Sequence, residues 1–244
     1  IGNTSARGGT LKVGSSTANG ALTKIDGDAM FVDDVKIEGG DHADEDSIII
    51  AVENIKATDG ITLTAADAGD AELNTATAAV TITGTVDSGS GTDGAGTTLI
   101  DADIGTTFAN NVGATTAIES MTIADSIQVD LDGVTNAIES IVITDAGVLE
   151  FDAAADQTYT GAITFAADDD GTIINANTDG ELSITGAIGK ATIGAPEITL
   201  HYVATTNFNK SLLALTFYID TNVYTTVFSA ACHELVSPVS TSGH

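Results

Sequence analysis

The stretch AIESMTIADSIQVDLDGVTN, residues 117–136, is followed at once by a second version of itself, AIESIVITDAGVLEFDAAAD, residues 137–156. At an offset of twenty residues both units open with Ala-Ile-Glu-Ser. Ile123 recurs as Ile143, and apolar residues that match in kind recur at three more pairs of positions: Met121/Ile141, Val129/Leu149 and Leu131/Phe151. A fixed period of this length is typical of stacked repeats, in which each unit buries its apolar face against the next unit.

Apolar and polar residues alternate within each unit, which indicates half-buried β-strands. Met121 and Ile123, for example, are separated by Thr122. Two short strands and two turns in about twenty residues fit one turn of a parallel β-helix. They fit one hairpin of a β-sandwich equally well. We therefore predict an all-β fold, either a β-solenoid or tandem β-sandwich domains.

The composition also favours β structure. Trp is absent, and Phe and Tyr together number 11, so the apolar content consists mainly of Ala, Val, Ile and Leu. Small and β-branched side chains suit narrow, regularly layered strands. With only seven Lys and Arg residues, the chain is poor in the long polar side chains that helices favour.

Changes of composition divide the chain into five predicted segments. They are a flexible N-terminal arm (1–20), a β-rich domain (21–87), a Gly-rich loop or linker (88–98), a β-repeat region (99–195) and an aromatic-rich C-terminal β segment (196–244). The arm is either a frayed terminus or a strand that adds to the open edge of a neighbouring copy. In the second segment, Met30, Val32, Val35 and Ile37 predict a strand that is interrupted at Asp33-Asp34.

The C-terminal segment contains six of the 11 aromatic residues. Residues 211–219 and 223–231, joined by Asp220-Thr221-Asn222, predict a β-hairpin with bulky faces. Because solenoids need atypical terminal units, this hairpin would cap the repeat region, form a small domain or supply a surface for a partner subunit.

The net charge of −28 limits the possible partners. Nucleic acid is excluded, because phosphate binding needs Lys and Arg, and anionic membranes are disfavoured for the same reason. No stretch approaches the roughly 20 apolar residues of a membrane helix. An acidic surface either serves as a solvated coat or attracts cations, of which Ca²⁺ best suits ligands that are all oxygen.

Acidic residues cluster in the turns, which predicts calcium binding there. A D-x-D pattern places two carboxylates on one side of a turn, and stacked repeats would bring several such turns together. No complete EF-hand loop is present. We predict Asp130, Asp132, Asp168, Asp169 and Asp170 as calcium ligands.

No catalytic residue is predicted. Cys232, the single cysteine, excludes an internal disulfide, and its neighbours His233 and Glu234 would alternate between the two faces of a strand. Carboxylate pairs of the kind that cleave glycosidic bonds are abundant, but the repeat lacks aromatic platforms for sugar rings. The chain begins with Ile1 rather than Met, which is consistent with a secreted product after signal-peptide removal or with a cut chain.

The repeat region resembles the repetitive cell-surface proteins of prokaryotes, which include surface-layer proteins and the β-helical passengers of autotransporters. The likeness covers residues 80–195 and is carried by AIESMTIAD, AIESIVITD, GVLEF, GAITF and GELSITGAIG. It implies secretion, an elongated β fold, self-assembly into a lattice or fibre and, in many members, calcium. The aromatic segment after Pro196 departs from the pattern.

Together these features predict a structural subunit of an extracellular array or filament whose partners are identical subunits. The alternative is an adhesin or ligand-binding module that presents its loops to a surface ligand such as a cell-surface glycan. A glycan-cleaving enzyme is a third possibility that rests on analogy of fold alone.

Overall fold

The structure is a computed structural model. It describes residues 8–15, 21–25, 30–40, 46–51, 53–65, 69–76, 78–89, 97–166, 171–177 and 180–189, and the backbone of four later strands, 197–200, 205–208, 217–219 and 225–228. Every regular element in these ranges is a β-strand.

The first half of the chain forms ten strands: β1 (Gly8–Gly14), β2 (Leu22–Ile25), β3 (Met30–Glu38), β4 (Ser47–Ala51), β5 (Ile55–Thr64), β6 (Ala71–Thr75), β7 (Val80–Thr83), β8 (Val86–Ser88), β9 (Thr98–Ala102) and β10 (Thr106–Phe108). The second half forms eleven: β11 (Ile118–Ile123), β12 (Gln128–Leu131), β13 (Thr135–Ile143), β14 (Val148–Phe151), β15 (Gln157–Phe165), β16 (Thr172–Asn175), β17 (Glu181–Thr185), β18 (Glu197–Leu200), β19 (Thr205–Phe208), β20 (Phe217–Ile219) and β21 (Thr225–Phe228).

The strands form two sheets in which all pairs run parallel. The eleven-stranded sheet has the order β1-β3-β5-β7-β10-β12-β14-β16-β18-β20, and β8 pairs with β5. The ten-stranded sheet has the order β2-β4-β6-β9-β11-β13-β15-β17-β19-β21. Apart from β7 and β8, which both belong to the eleven-stranded sheet, successive strands lie in alternate sheets, which makes the protein a β-solenoid. The all-β and solenoid predictions are confirmed, and tandem sandwiches, which need antiparallel pairs, do not occur among the described strands.

In the repeat region, strands pair at the offset of twenty residues that the sequence predicts. Ile118 pairs with Ile138 across β11 and β13, and Gln128 pairs with Val148 across β12 and β14. Both pairs are separated by twenty residues, as the two copies of the repeat require. The matched positions Met121/Ile141, Val129/Leu149 and Leu131/Phe151 are register partners too.

Bends in the long strands divide each turn of the chain, here called a rung, into three sides. The register of β3 against β5 shifts between Val32 and Asp34, where the sequence predicts an interruption, and that of β13 against β15 shifts between Ala137 and Ser140. Stacked rungs therefore form three columns of paired segments, numbered in the order in which a rung passes through them. Column 1 contains the first part of β3 and β5, then β7, β10, β12, β14, β16, β18 and β20.

Column 2 runs along most of the described chain. It contains β1, the second part of β3 and β5, β8, Val112, the first part of β13 and β15, and then β17, β19 and β21. Val112 keeps the column continuous, because it bridges to Val86 and its carbonyl accepts from the amide of Ala137 at 2.8 Å. Column 3 contains β2, β4, β6, β9, β11, the second part of β13 and β15, and Ile188.

The core is a set of apolar ladders, each formed by one inward position of a column. Inward and outward residues alternate because successive Cβ atoms of a strand point to opposite faces. The most regular ladder lies in column 3, and all of its members are buried: Ile49, Leu73, Ile100, Met121, Ile141, Ile163 and Ile188. Removing such a side chain from water contributes about 1.5–3 kcal/mol, so the ladder is a main source of stability.

Buried side-chain amides form hydrogen bonds with backbone groups at the corner after column 1. The Nε2 of Gln157 donates to the carbonyls of Leu131 at 2.6 Å and Gly133 at 2.9 Å. Asn136 donates from Nδ2 to the same Gly133 carbonyl at 2.7 Å and accepts from the Val112 amide at 3.0 Å. These side chains replace backbone partners that a bent strand loses, because a buried carbonyl without a donor is costly.

The C-terminal strands differ from the predicted hairpin. β20 pairs with β18 and β21 pairs with β19, in both cases in parallel, so the two strands continue columns 1 and 2. Alternation within a strand shows which face is apolar but not which neighbour it pairs with, and a stacked rung satisfies the same pattern as a hairpin. The strands on either side of the Gly-rich segment 88–98 also share columns, since β6 pairs with β9 and β7 pairs with β10.

Candidate functional site

Two of the predicted calcium ligands, Asp130 and Asp132, lie on the outer surface of column 1. Asp130 lies on β12, where its register neighbours are Thr107 on the preceding rung and Glu150 on the following one. Its carboxylate accepts from Gln128 Nε2 at 2.7 Å and from Thr107 Oγ1 at 3.0 Å. Gln128 Nε2 also donates to Glu150 Oε2 at 3.0 Å. Amide and hydroxyl donors therefore bridge these carboxylates from rung to rung.

Asp132 begins the corner after β12, and Asp152 occupies the same corner one rung further on. Burial raises the pKa of Asp132 to about 6, and the nearby charges of Asp152 and Asp130 act in the same direction. Burial, followed by the charge of Asp130, also raises the pKa of Asp152. Like charges in a partly dehydrated corner oppose ionisation, and a proton or a cation relieves them.

The structure brings Asp130 and Asp132 close to Asp152, but it does not define a metal cage around them. No group of three or more His, Cys, Asp or Glu side chains is placed to hold a metal ion within the described ranges. The other predicted ligands, Asp168, Asp169 and Asp170, lie outside the described residues.

A second acidic group, which the sequence analysis did not single out as a site, lies on the outer face of column 3. Asn74 on β6 donates from Nδ2 to Glu72 Oε1 and to Asp101 Oδ2 on the next rung, both at 3.4 Å. Burial raises the pKa of Glu72 and of Asp101, and neighbouring carboxylates add to both increases. The register of β6 against β9 creates this group by pairing Asn74 with Asp101. No sequence motif links residues 27 positions apart.

An open cleft of about 220 Å³ lies at the corner between columns 1 and 2. Its lining residues are Lys56, Ala57, Thr58, Thr83, Gly84, Thr85 and Asn110. Lys56 is the one ionisable residue of the lining, and the Gly84 amide donates to Asn110 Oδ1 at 3.1 Å. This lining lacks the pair of acid and base groups that hydrolysis of a glycosidic bond uses.

The two ends of the solenoid form a third candidate. β1 and β2 at the first end, and β20 and β21 at the last end, each pair with a neighbour on one side only among the described strands. An edge strand presents a row of unpaired backbone groups to other chains. Leu22 on β2 is 69% exposed, which makes it the most exposed large apolar side chain of the described part.

Comparison of the chain with protein-family models, with curated proteins and with solved structures gave no match. Within the described ranges, no helix has the length and apolar character needed to cross a membrane.

Proposed function

We propose that this protein is a structural subunit of an extracellular self-assembling array or filament, with identical subunits as its partners. The observation that supports the proposal is the stack of parallel rungs, which share apolar ladders and whose first and last described strands are edge strands within the described part of the chain. Such a stack is built by repeating one contact, and the same contact can join one chain to another.

The proposed role is mechanical. Each inner rung is hydrogen-bonded to the rungs before and after it, and the core ladders run along the same direction as those bonds. Because protein interiors pack as densely as organic crystals, a continuous core resists bending and compression. The acidic outer faces would keep such a rod soluble.

Size measurement of the purified protein tests the proposal. Sedimentation velocity and negative-stain imaging, run over a range of protein and salt concentrations, should reveal large ordered assemblies. A particle that remains a single monomer under every condition would contradict the proposal. That outcome would favour the alternative, an adhesin or binding module, for which binding to a panel of surface glycans is the next measurement.

Extracellular location is part of the proposal and has its own test. Antibodies raised against the purified protein should label intact, unpermeabilised cells of the source organism. Labelling that appears only after permeabilisation would contradict surface display.

We also propose Ca²⁺ as a counter-ion of the acidic turns. The support is the corner where register places Asp132 and Asp152 one rung apart. Burial and then neighbouring carboxylate charges raise the pKa of both groups, and a divalent cation would relieve the repulsion between these charges. Assemblies treated with a calcium chelator should dissolve or lose thermal stability, and added Ca²⁺ should restore them. Unchanged assemblies in chelator would contradict a role for calcium.

A further inference from the structure

Charge is distributed unevenly along the sequence. Residues 1–25, which include β1 and β2, carry three basic residues and no acidic residue. Residues 26–189 carry two basic and 32 acidic residues, whereas residues 190–244 carry two basic and three acidic residues. The net charges of the three parts are therefore +3, −30 and −1. Nearly all of the negative charge lies between the two ends.

This distribution separates the two ways in which copies can approach each other. Side-by-side contact would bring together two segments of net charge −30, and like charges that face each other oppose association. End-to-end contact would bring the +3 end against the −1 end. Since the Debye length is about 8 Å at physiological ionic strength, the charges next to a contact decide its energy. The ends are the favoured contact.

The backbone geometry of the two ends is also complementary. Among the described strands, column 2 begins with β1 and ends with β21, and all of its strands run in the same direction. The outer side of β21 would therefore meet the outer side of β1 of another copy as neighbouring rungs meet within one chain. Contact between two first ends, or between two last ends, could not use this parallel pairing.

The register of column 2 identifies the residues that would meet. At the first end, Thr10 pairs with Asp34 of the next rung. At the last end, Thr158 pairs with Ser183, Ser183 with Asn207, and Asn207 with Val227. The two series belong to one ladder of column 2. Backbone hydrogen bonds continue the first series, because the Ile61 amide donates to the Thr85 carbonyl and the Val86 amide donates to the Asn111 carbonyl. The second series is reached where Thr135 pairs with Thr158. Thr10 of one copy thus takes the place that follows Val227 of another.

We propose that the copies stack head to tail, with β21 of one chain adding onto β1 of the next. This inference rests on the proposed function and names the surface that it uses. The contact joins two different surfaces of the chain and needs no closing rotation, so it generates an open filament rather than a closed ring.

A charge reversal at the first end tests the electrostatic part. The variant Lys12→Glu/Lys24→Glu replaces two basic residues of the first rung, and Lys36→Glu/Lys56→Glu is the matched control in later rungs. Each pair changes the net charge by the same amount, and each pair includes one lysine of a surface ion pair, Lys12–Glu38 at 2.8 Å or Lys36–Asp34 at 3.3 Å. The first variant should raise the protein concentration needed for assembly by about tenfold or more, and the control should change it much less. Equal effects of the two variants would overturn the electrostatic argument.

A disulfide trap tests the geometry independently of charge. In a Cys232→Ser background, Thr10→Cys combined with Val227→Cys should give a series of covalent multimers on oxidation. Neighbouring strands lie about 4.8 Å apart, which is within the range that a disulfide spans. Thr10→Cys combined with Thr158→Cys is the control, because both residues lie on one ladder and Thr158 lies on an inner rung.

The outcomes of the trap differ for each alternative. Dimers of Thr10→Cys alone would show head-to-head contact, and multimers of the Thr10→Cys/Thr158→Cys control would show side-by-side contact. Either result overturns the inference. An unmodified protein that never assembles contradicts the proposed function itself. A protein that assembles without forming the covalent link between the two introduced thiols contradicts only the head-to-tail arrangement.

Discussion

At the scale of single residues, the corner formed by Asp132 and Asp152 is the place where the acidic composition acts against the fold. Both carboxyls are partly buried, and register places them one rung apart. Repulsion and burial both raise their pKa values, because each disfavours the charged form. The folded protein therefore binds a proton at Asp132 more readily than the unfolded chain does.

This difference predicts a pH dependence of stability. The pKa of Asp132 is about 6 in the folded protein and near 3.8 when unfolded, so its charge destabilises the fold above pH 6. The penalty falls as the pH is lowered through 6 and is absent below about 3.8. Asp132→Asn should stabilise the protein at pH 7 by about 1 kcal/mol after allowance for solvent screening, and flatten this part of the profile.

Urea unfolding at pH 7 and pH 5 measures both effects of Asp132→Asn. Asp59→Asn, at an exposed corner position, is the matched control and should leave the free energy of unfolding nearly unchanged. A destabilised Asp132→Asn variant at pH 7 would show that the carboxylate is held by favourable contacts instead.

Gly161 illustrates a backbone requirement at the corner between columns 2 and 3. Its φ is 137°, which side chains rarely tolerate, and an added Cβ would collide with the carbonyl oxygen of Ile138 on the preceding rung. Gly161→Ala should therefore destabilise the protein by about 1–3 kcal/mol. Gly105→Ala is the control, since its Cβ would meet only the Gln128 carbonyl oxygen at 3.9 Å. Chemical denaturation compares them, and equal stabilities would contradict the strain.

At the scale of elements, the alternation of a strand decides which residues support the stack. Ile141 of β13 is fully buried and lies between Met121 and Ile163 in the column 3 ladder. Its neighbour Val142 belongs to the outward row of the same strand and is half-buried. The two residues are adjacent in the sequence, but only Ile141 packs in the core ladder.

Truncation of these neighbours should separate the two roles. Ile141→Ala should lower the free energy of unfolding by about 2–5 kcal/mol, because it leaves a cavity between two rungs. Val142→Ala should lower it by about 1 kcal/mol or less, because the side chain keeps contact with water. Unfolding midpoints in urea measure the difference, and similar losses for both variants would contradict the assigned register.

Element-scale prediction succeeded where the sequence repeats itself. Around β11–β14 two similar sequence units lie twenty residues apart, so the residues that pair between strands could be predicted. Elsewhere the offset drifts: Gly8 pairs with Val32, and Ile55 pairs with Ile82. Corners of different length make the period hard to recognise in the sequence. They do not change the core, because insertions at a solenoid corner leave the stacked strands in place.

At the scale of the whole molecule, the segment of net charge −30 would control how the proposed filaments associate sideways. Raising the ionic strength screens exposed like charges, and divalent cations screen them more effectively. We expect single filaments at low salt and side-by-side bundles at high salt or with added Mg²⁺ or Ca²⁺. Light scattering and negative-stain imaging measure this, with NaCl at matched ionic strength as the control. Bundles that form only at low salt would contradict the charge argument.

The candidate sites were predictable only in part. Asp130 and Asp132 could be named from their spacing. The structure places Asp130 on the outer face of β12 and Asp132 at the corner that follows. Asp152, the neighbour that perturbs them, follows from the same repeat offset. The group of Glu72, Asn74 and Asp101 could not be predicted, because its members meet through a rung of irregular length.

The strand content, the alternation of apolar and polar residues, and the length of one repeat, which is twenty residues, can all be read from the sequence. These properties are local, since strand formation and alternation depend on side chains a few positions apart. The folded chain alone shows that neighbouring strands pair in parallel and that each rung has three sides. It also shows that residues 217–219 and 225–228 continue the stack instead of forming a hairpin. Pairing partners are chosen by contacts between distant rungs, and those contacts exist only once the core has formed.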